Sequence, residues 1–381
     1  MNFEKLDRFL DTMPQRGFPA CSLLVTQNGK PIYTRNVGFS DLQKNTPATE
    51  NDLYWVCSIS KVTTCVAAMQ LVEQGKLGLD DPVASYLPAF KNIYIKDDNN
   101  AKTVSPAKTV MTVKHLFTMT GGLDYKLTHP SLVEACENKQ ATTREVVDAM
   151  AKIPLHFEPG THFRYSLCHD VLAAVVEVVS GMRFGDYVKK YILEPLDMKD
   201  TGYHLPPSLQ DRMTTMYRYV PGLAKSEPIK CENKYCLTDN YDSGGAGLYT
   251  SPADQIKLLT ALACGGKTPN GESILRPETI AMMGKNQLCD SARIDFEPTR
   301  LHGYSWGLCG RAHVDPKLSD ALSSVGEFGW DGATGSFALV DPTKQVALYF
   351  GLHIFGCQYV YHHIHPRLRD MVFAEINSQE S

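Results

Sequence analysis

The N-terminal part of the chain shows one helical pattern and two short apolar runs. Hydrophobic residues are spaced as on a helix from about Phe3 to Met13, and apolar runs follow at 20–26 and 31–37. Asn28 and Gly29 separate these runs, and an Asn-Gly pair in that position is a strong signal for a β-hairpin. The segment therefore predicts a helix followed by two antiparallel strands.

The clearest helical periodicity lies between Ser58 and Gly75. Apolar residues recur there at steps of three and four, which places them on one helical face. They are Val62, Cys65, Val66, Met69 and Val72. Gly75 follows the last of them, as is common at the C-terminal end of a helix. We predict an amphipathic helix here, followed by loops and short turns at 77–88.

The middle of the chain is mainly helical in its pattern. Helices are predicted at about 113–119, 143–151, 167–180, 184–192, 252–264 and 277–283. Two stretches lack any such periodicity: 97–108 is polar and predicts an exposed excursion, and 217–247 is rich in Pro, Lys, Asn, Asp and Gly. Irregular chain of the second length is more often functional or mobile than neutral, so we expect 217–247 to border a cleft.

Strand patterns return toward the C-terminus. The predicted elements are strands at 304–311, 335–340 and 345–351 and a closing helix at 360–376. Strands at both ends with helices between them imply one sheet built from the two terminal segments. We therefore predict an α+β fold in which residues 1–85 and 290–381 form a sheet region and residues 86–289 a mainly helical region. A ligand cleft is expected between them.

Composition and charge narrow the classes of function. The 381 residues are 43% hydrophobic and 21% charged, which describes a globular chain. The net charge is −4, from 38 Lys and Arg against 42 Asp and Glu, so no basic surplus favours nucleic acid. The longest near-apolar run, 171–179, contains Glu177 and is far shorter than the roughly 20 residues that span a bilayer. Neither a nucleic-acid nor a membrane partner is expected.

Cysteine and histidine usage indicates a reducing compartment without a metal site. Eleven cysteines at mostly long spacings suit the cytoplasm, and the first turns mix both charges and lack signal-peptide features. The one close pair, Cys231 and Cys236, has no second pair at zinc-like spacing. The histidines within 362–365 stand beside aromatic and aliphatic residues. We expect no metal and no cofactor.

A lysine interrupts the apolar stripe of the helix that begins at Ser58. The stripe, extended backwards by helical steps, passes through Lys61 and Ser58. Burial disfavours the charged ammonium, and a three-residue step places the serine hydroxyl beside the lysine amine. The two would form a nucleophile and its base near a helix N-terminus. Ser60 is offset by about 100° and should face elsewhere. The alternative is a helix-capping Ser58 and a solvent-directed Lys61.

The serine and lysine belong to an ordered series of motifs. The series is Ser58-Ile59-Ser60-Lys61, then the residues at 77–82, 115–123, 157–161, Tyr165-Ser166 and 244–248. Spread over about residues 15 to 355, it resembles the serine β-lactamase and penicillin-binding-protein superfamily. The resemblance implies an antiparallel sheet flanked by helices, with an inserted helical region, and acyl transfer to Ser58.

Two further motifs receive roles from this resemblance. Tyr165 would share proton transfer with Lys61, since a phenol near an ammonium is easier to ionise. Leu167 stands where β-lactamases carry an amide that contacts the substrate, and this departure weakens a β-lactam interpretation. Both residues are assigned to the site, Leu167 as a substrate contact.

The third motif of the superfamily, a strand with Lys-Thr-Gly or His-x-Gly, corresponds to Trp330-Asp331-Gly332. By position, the N–H of Ala333 would join that of Ser58 in holding the oxyanion. Trp330 removes the cation that anchors a substrate carboxylate and supplies an apolar wall, unless it is an ordinary core aromatic. Asp331 would repel anions, bind an amine or face solvent. All three residues of the motif are expected to border the substrate.

A tryptophan at this place resembles the family VIII carboxylesterases and the related acyltransferases of statin biosynthesis. We therefore predict a serine hydrolase that cleaves a small-molecule carboxylic ester through an acyl-enzyme on Ser58. The alternatives are a D-aminopeptidase or amidase, a weak β-lactamase, an acyltransferase, and a ligand-binding protein that keeps the fold without turnover.

Overall fold

The computed structural model describes residues 1–97, 100–296 and 301–379, and a large antiparallel sheet forms its centre. The strands are β1 (Ala20–Gln27), β2 (Lys30–Asp41), β3 (Thr46–Pro47), β4 (Tyr54–Trp55), β5 (Tyr94–Asp97), β6 (Asn100–Pro106), β7 (Met216–Val220), β8 (Lys225–Ile229), β9 (Tyr249–Thr250), β10 (Tyr304–Trp306), β11 (Arg311–His313), β12 (Phe328–Asp331), β13 (Phe337–Asp341), β14 (Val346–Gly351) and β15 (Ile354–Phe355). Eight of them form the sheet in the order β10-β11-β12-β13-β14-β1-β2-β3.

All neighbours in this sheet are antiparallel, and its strands come from the two ends of the chain. In its centre Leu24 of β1 pairs with Tyr349 of β14 and with Thr34 of β2. The predicted fold class, an α+β fold with an antiparallel sheet of terminal segments, is confirmed.

Helices cover both faces of the sheet and fill the middle of the chain. They are α1 (Glu4–Asp11), α2 (Ser60–Glu73), α3 (Val113–Phe117), α4 (Pro130–Glu137), α5 (Thr143–Met150), α6 (Cys168–Ser180), α7 (Phe184–Val188), α8 (Pro252–Ala263), α9 (Pro277–Met283), α10 (Asp290–Phe296), α11 (Pro316–Ser319) and α12 (His365–Ser378). Local signals set several ends. Thr142 and Glu145 form a capping box before α5, Ser251 caps α8, and Gly181 ends α6 with a left-handed backbone (φ +70°).

Alternate side chains of β1 point into two different cores. Leu23 and Val25 pack with α1 and α12, whereas Leu24 lies in the larger core with α2, α6 and α8. A strand buried on both faces has this pattern because successive side chains leave opposite faces of a sheet. Helix α2 is buried almost throughout, so the helix that follows Ser58 lies inside the larger core.

Two predictions about elements need correction, and a third becomes more specific. The segment 217–247 holds the hairpin β7–β8, whose first strand pairs with β15. The segment 304–311 forms two strands with a turn between them, where the Gly307 N–H donates to the Gly310 carbonyl. The stretch 97–108, predicted as an exposed excursion, contains strand β6, which pairs with β5 and is exposed at 104–106; residues 98–99 lie outside the described part. Most residues of the β7–β8 hairpin are half-exposed or exposed, whereas all residues of β10 and β11 are buried. None of these four strands therefore shows the clear apolar-polar alternation by which a strand is predicted.

The predicted division into a sheet region and a helical region stays a prediction. Strands of the large sheet lie within 20–47 and 304–351, and most helices lie between those segments. However, α8 belongs to the range 86–289 and packs directly on β1 and β14. The two predicted regions therefore share one core.

Three further properties of the described residues concern membrane spans, metal sites and disulfides. Within the described ranges, no helix combines the length and the apolar character that crossing a membrane requires. No group of three or more His, Cys, Asp and Glu side chains in this part of the chain is arranged for a metal ion. All eleven cysteines are free thiols.

We predict that Leu348→Ala destabilises the protein by about 2–5 kcal/mol. Leu348 is fully buried in β14, where it pairs with Val25 and Leu339, so truncation leaves a cavity in the sheet core. Leu223→Ala is the matched control, since Leu223 is 68% exposed and should change the free energy of unfolding by at most about 0.5 kcal/mol. Denaturant unfolding of both variants measures the difference, and equal effects would contradict this account of the core.

Candidate active site

Ser58 lies on a short turn that enters helix α2. The turn, Cys57–Ile59, is a 3-10 helix, and Cys57 has a positive φ of +47°, which is strained for a residue other than glycine. Ser58 keeps 9% of its surface exposed, so its hydroxyl stands at the boundary between core and solvent. Burial raises the pKa of the Cys57 thiol to about 12, and this neighbour therefore stays protonated and is no competing nucleophile.

Lys61 lies fully buried one turn after Ser58. Its Nζ is 3.4 Å from the Ser58 Oγ and donates to the Tyr125 hydroxyl and to the Gly245 carbonyl, both at 2.6 Å. An ammonium has three N–H donors, and three oxygen atoms surround this one. The alternative in which the lysine extends into water is wrong.

Ser60 faces away from this group, as its helical offset predicts. Its hydroxyl donates to the Cys57 carbonyl at 2.6 Å and accepts the Leu248 N–H at 3.0 Å. Ser60 therefore fastens the turn of Ser58 to the segment 244–248. Ser58 is the serine of this pair that lies beside Lys61.

The ring of Tyr165 lies beside the lysine ammonium. Lys61 Nζ lies 4.7 Å from the centre of the Tyr165 ring. The hydroxyl of Tyr165 accepts a hydrogen bond from Nε1 of Trp330 at 2.8 Å. Trp330 packs edge-on against Trp306, with 4.6 Å between ring centres, yet stays half-buried. Trp330 is therefore both a packed aromatic and a side chain at the rim of the site.

Tyr125 is a site residue that the sequence analysis missed. Besides its bond to Lys61, its ring stacks on Tyr165 at 5.4 Å and meets Tyr235 edge-on at 5.9 Å. Burial raises its pKa well above the usual range, and the charges of Tyr165 and Asp170 add to this. Tyr125 therefore keeps its proton. Tyr125 lies two residues beyond the motif at 115–123, and this proximity was the sequence signal that could have indicated a site residue.

Asp170 is a second residue that was not predicted. This buried carboxylate accepts hydrogen bonds through Oδ1 from Tyr241 and Ser243, both at 2.6 Å. The Gly245 N–H donates to the same oxygen at 3.3 Å, while the Gly245 carbonyl accepts from Lys61. The aspartate thus holds the loop that binds the lysine. An ionisable residue within the apolar pattern of α6 was the signal for it.

The turn after β12 docks on the chain that leads to Ser58. A Cβ added to Gly332 would lie 2.4 Å from the carbonyl oxygen of Val56, so only glycine permits this approach. Thr334 Oγ1 donates to the Trp55 carbonyl at 3.1 Å. Ala333, between them, is half-buried, and among the described residues its amide N–H has no backbone carbonyl partner. This amide is thus available to a ligand oxygen.

Two predicted substrate contacts lie elsewhere than expected. Leu167 is 4% exposed, sits just before α6 and packs in the larger core, because its N–H is held by the Asp124 carbonyl at 3.2 Å. Asp331 is also buried, 3.5 Å from Arg311 Nη1 and 3.6 Å from His365 Nδ1. The interpretation that Asp331 faces solvent is wrong, since its carboxylate lies inside the protein beside Arg311, which also pairs with the buried Glu327 at 3.0 Å.

The irregular segment after β8 reaches the site through Tyr235. Its ring contacts Tyr125, and Asn233 fixes the segment by donating to the Ala246 carbonyl at 2.7 Å. Tyr235, Tyr125, Tyr165 and Trp330 are all half-buried. The rim of the site is therefore aromatic. A cation stands in the superfamily motif where Trp330 stands here.

Comparisons with known proteins show which family and fold the chain shares. The sequence profile of the Beta-lactamase family matches residues 6–354. Esterase EstB of Burkholderia gladioli is 26% identical over 88% of this chain and 86% of its own, and the lovastatin esterase of Penicillium rubens is 27% identical over 73% and 71%. The solved structure of EstCE1, described as a hydrolase with promiscuous acyltransferase activity, superimposes with a TM-score of 0.80 at 25% identity, covering 97% and 98% of the two chains.

We predict that Gly332→Ala lowers the rate at which a fluorophosphonate labels Ser58 by about 100-fold. The added methyl collides with the Val56 carbonyl and displaces the turn that carries the Ala333 amide. Gly351→Ala is the control, because a Cβ there meets its nearest atom, in Pro252, at 3.3 Å and a small shift relieves that contact. Labelling at the wild-type rate in Gly332→Ala would show that this close approach is not needed.

Proposed function

The chain belongs to the β-lactamase family and is a serine hydrolase, and we propose that it cleaves carboxylic esters through an acyl-enzyme on Ser58. The observation that carries the proposal is the contact between the buried Lys61 and Ser58, at 3.4 Å, beneath an aromatic rim. Two relatives are named as esterases, which supports the same class of substrate.

In the proposed reaction the Ser58 Oγ attacks the ester carbonyl carbon. Tyr165 acts as a phenolate, which the ammonium of Lys61 beside its ring stabilises, and it becomes the neutral phenol by taking the hydroxyl proton. The Trp330 N–H donates to the Tyr165 hydroxyl oxygen, and it stabilises the phenolate further without adding a charge.

The carbonyl oxygen becomes an oxyanion, held by the backbone N–H groups of Ser58 and Ala333. When the tetrahedral intermediate collapses, the alcohol leaves and receives the proton from Tyr165. Water then attacks the acyl-enzyme by the same route, which releases the acid and restores Ser58.

The aromatic rim favours a neutral, apolar ester. Trp330 replaces the cationic residue that would bind a substrate carboxylate, and Tyr125 and Tyr235 supply further ring surface. Leu167 lies in the core where an amide would contact a β-lactam or a peptide. These features favour an ester over a β-lactam or a D-amino-acid peptide.

Acyl transfer is the second candidate activity. EstCE1 is described as having promiscuous acyltransferase activity, and an acyl-enzyme reacts with an alcohol by the same steps as with water. A rim of tyrosine and tryptophan rings would bind an apolar alcohol as well as an apolar acyl group. We also infer a cytoplasmic location, because all eleven cysteines are free thiols.

We predict that Ser58→Ala abolishes hydrolysis of p-nitrophenyl butyrate and the single fluorophosphonate adduct on the intact protein. The substitution removes the nucleophile and should leave the fold, since the Ser58 hydroxyl lies at the edge of the core and alanine is smaller than serine. Intact-protein mass spectrometry measures the adduct, with Ser60→Ala as the control that should still be labelled. Hydrolysis at the wild-type rate by Ser58→Ala would refute the proposed nucleophile.

A pair of tyrosine variants separates the proton carrier from the residue that positions the lysine. Tyr165→Phe should lower kcat for the same ester by about 1,000-fold, because the proposed base is lost. Tyr125→Phe should lower kcat by only about tenfold, because its buried phenol keeps its proton and serves as a partner of Lys61. Steady-state rates at neutral pH test this order. A larger loss in Tyr125→Phe would reverse the two roles.

A further inference from the structure

The turn after β12 is held from behind by the segment that leads into α12. Tyr361 lies in a π-helical turn, Val360–Ile364, directly before that helix. Its hydroxyl donates to the Gly332 carbonyl at 2.9 Å, and the Gly335 N–H donates to the same oxygen at 2.9 Å. The Gly332 carbonyl therefore has two donors, one from its own turn and one from a different part of the chain.

This carbonyl and the amide of Ala333 belong to one peptide group. A peptide group is planar, and in its trans form the C=O and the N–H point in opposite directions. No cis peptide bond occurs in the described part of the chain. A hydrogen bond that fixes the direction of the Gly332 C=O therefore fixes the direction of the Ala333 N–H as well.

We propose that Tyr361 is a positioning residue that aims the Ala333 N–H at the oxyanion formed on Ser58. The inference rests on the proposed function, in which that N–H stabilises the oxyanion. The hydroxyl acts in two ways. It prevents the peptide from rotating, and by donating to the carbonyl it polarises the amide, which makes the N–H a stronger donor. Preorganised donors of this kind stabilise a transition state because they need no reorganisation during the reaction.

A second side chain supports the other end of the same turn. His365 donates through Nε2 to the Gly335 carbonyl at 2.9 Å, since a carbonyl only accepts. The other ring nitrogen lies 3.6 Å from the Asp331 carboxylate, which also faces Arg311. Asp331 is thus enclosed beneath the turn, between Arg311 and His365.

The hydroxyl of Tyr361 can be removed without removing the ring. The ring packs edge-on against His365, with 5.4 Å between ring centres, and a phenylalanine keeps this contact. The Gly335 N–H would still hold the Gly332 carbonyl in Tyr361→Phe. The variant therefore tests the direction and polarity of one peptide group in an otherwise intact fold.

The experiment compares Tyr361→Phe with the wild type in two reactions at Ser58. The first is hydrolysis of p-nitrophenyl butyrate. The second is labelling by a fluorophosphonate, in which the Ser58 Oγ bonds to phosphorus, fluoride leaves, the hydroxyl proton passes to the base, and the phosphoryl oxygen takes the oxyanion position. We expect kcat and the labelling rate to fall together by about tenfold, less than for loss of a direct donor. KM should stay within about twofold and the melting temperature within about 2 °C.

Tyr359→Phe is the matched control on the same stretch of chain. The Tyr359 hydroxyl accepts from Arg16 at 2.7 Å instead of donating to a carbonyl of the turn, so both rates should equal those of the wild type. Equal rates in Tyr361→Phe and the wild type would overturn the proposal, as would a change in KM alone. A fall in rate with a matching loss of melting temperature would also overturn it, since the hydroxyl would then be structural. A wild type that neither hydrolyses the ester nor reacts with the probe would overturn the proposed function itself.

Discussion

A lysine ammonium without solvent contact is the constraint around which this site is assembled. Taking such a charge out of water costs several kcal/mol unless oxygen atoms replace the lost solvent. Lys61 finds those oxygens in Tyr125, Gly245 and Ser58, which come from three separate parts of the chain. The helix α2, the segment after α3 and the loop before β9 must therefore meet at one point. Asp170 completes the arrangement, because it accepts from the Gly245 N–H and so holds the loop whose carbonyl binds Lys61.

The sheet supplies the other half of the site. Strand β12 ends in a turn of small residues, which lies close enough to the Ser58 turn for the Val56 carbonyl to exclude a side chain at Gly332. Behind this turn, Tyr361 and His365 each hold one of its carbonyls, and Asp331 and Arg311 fill the space beneath. The nucleophile thus comes from the helical core and the proposed oxyanion donor from the sheet. Their alignment depends on how these two layers pack.

Trp330 on strand β12 connects the sheet to Tyr165, and it does so with an indole where the superfamily motif has a cation. Its indole N–H reaches the Tyr165 hydroxyl, so the third motif still donates a hydrogen bond to the proposed base. A lysine in that place would add a positive charge and attract a carboxylate, whereas an indole adds ring surface. A tryptophan at this position therefore keeps a hydrogen bond to the proposed base, Tyr165, and changes which substrates the rim would favour.

Local pattern determined much of this protein. The hairpin at Asn28, the helix after Ser58 and the one-turn spacing of Ser58 and Lys61 follow from interactions between near neighbours, and the ordered motifs added Tyr165 and the β12 turn. Only the tertiary structure decided which distant groups contact Lys61 and the β12 turn. Tyr125 contacts Lys61 across 64 positions, the Gly245 carbonyl across 184, and Tyr361 reaches Gly332 from beyond three further strands. Asp331 was misread for the same reason, because its partner Arg311 lies on a neighbouring strand. Periodicity reports which face of an element is apolar, whereas the partners of a buried polar group depend on how distant elements pack together.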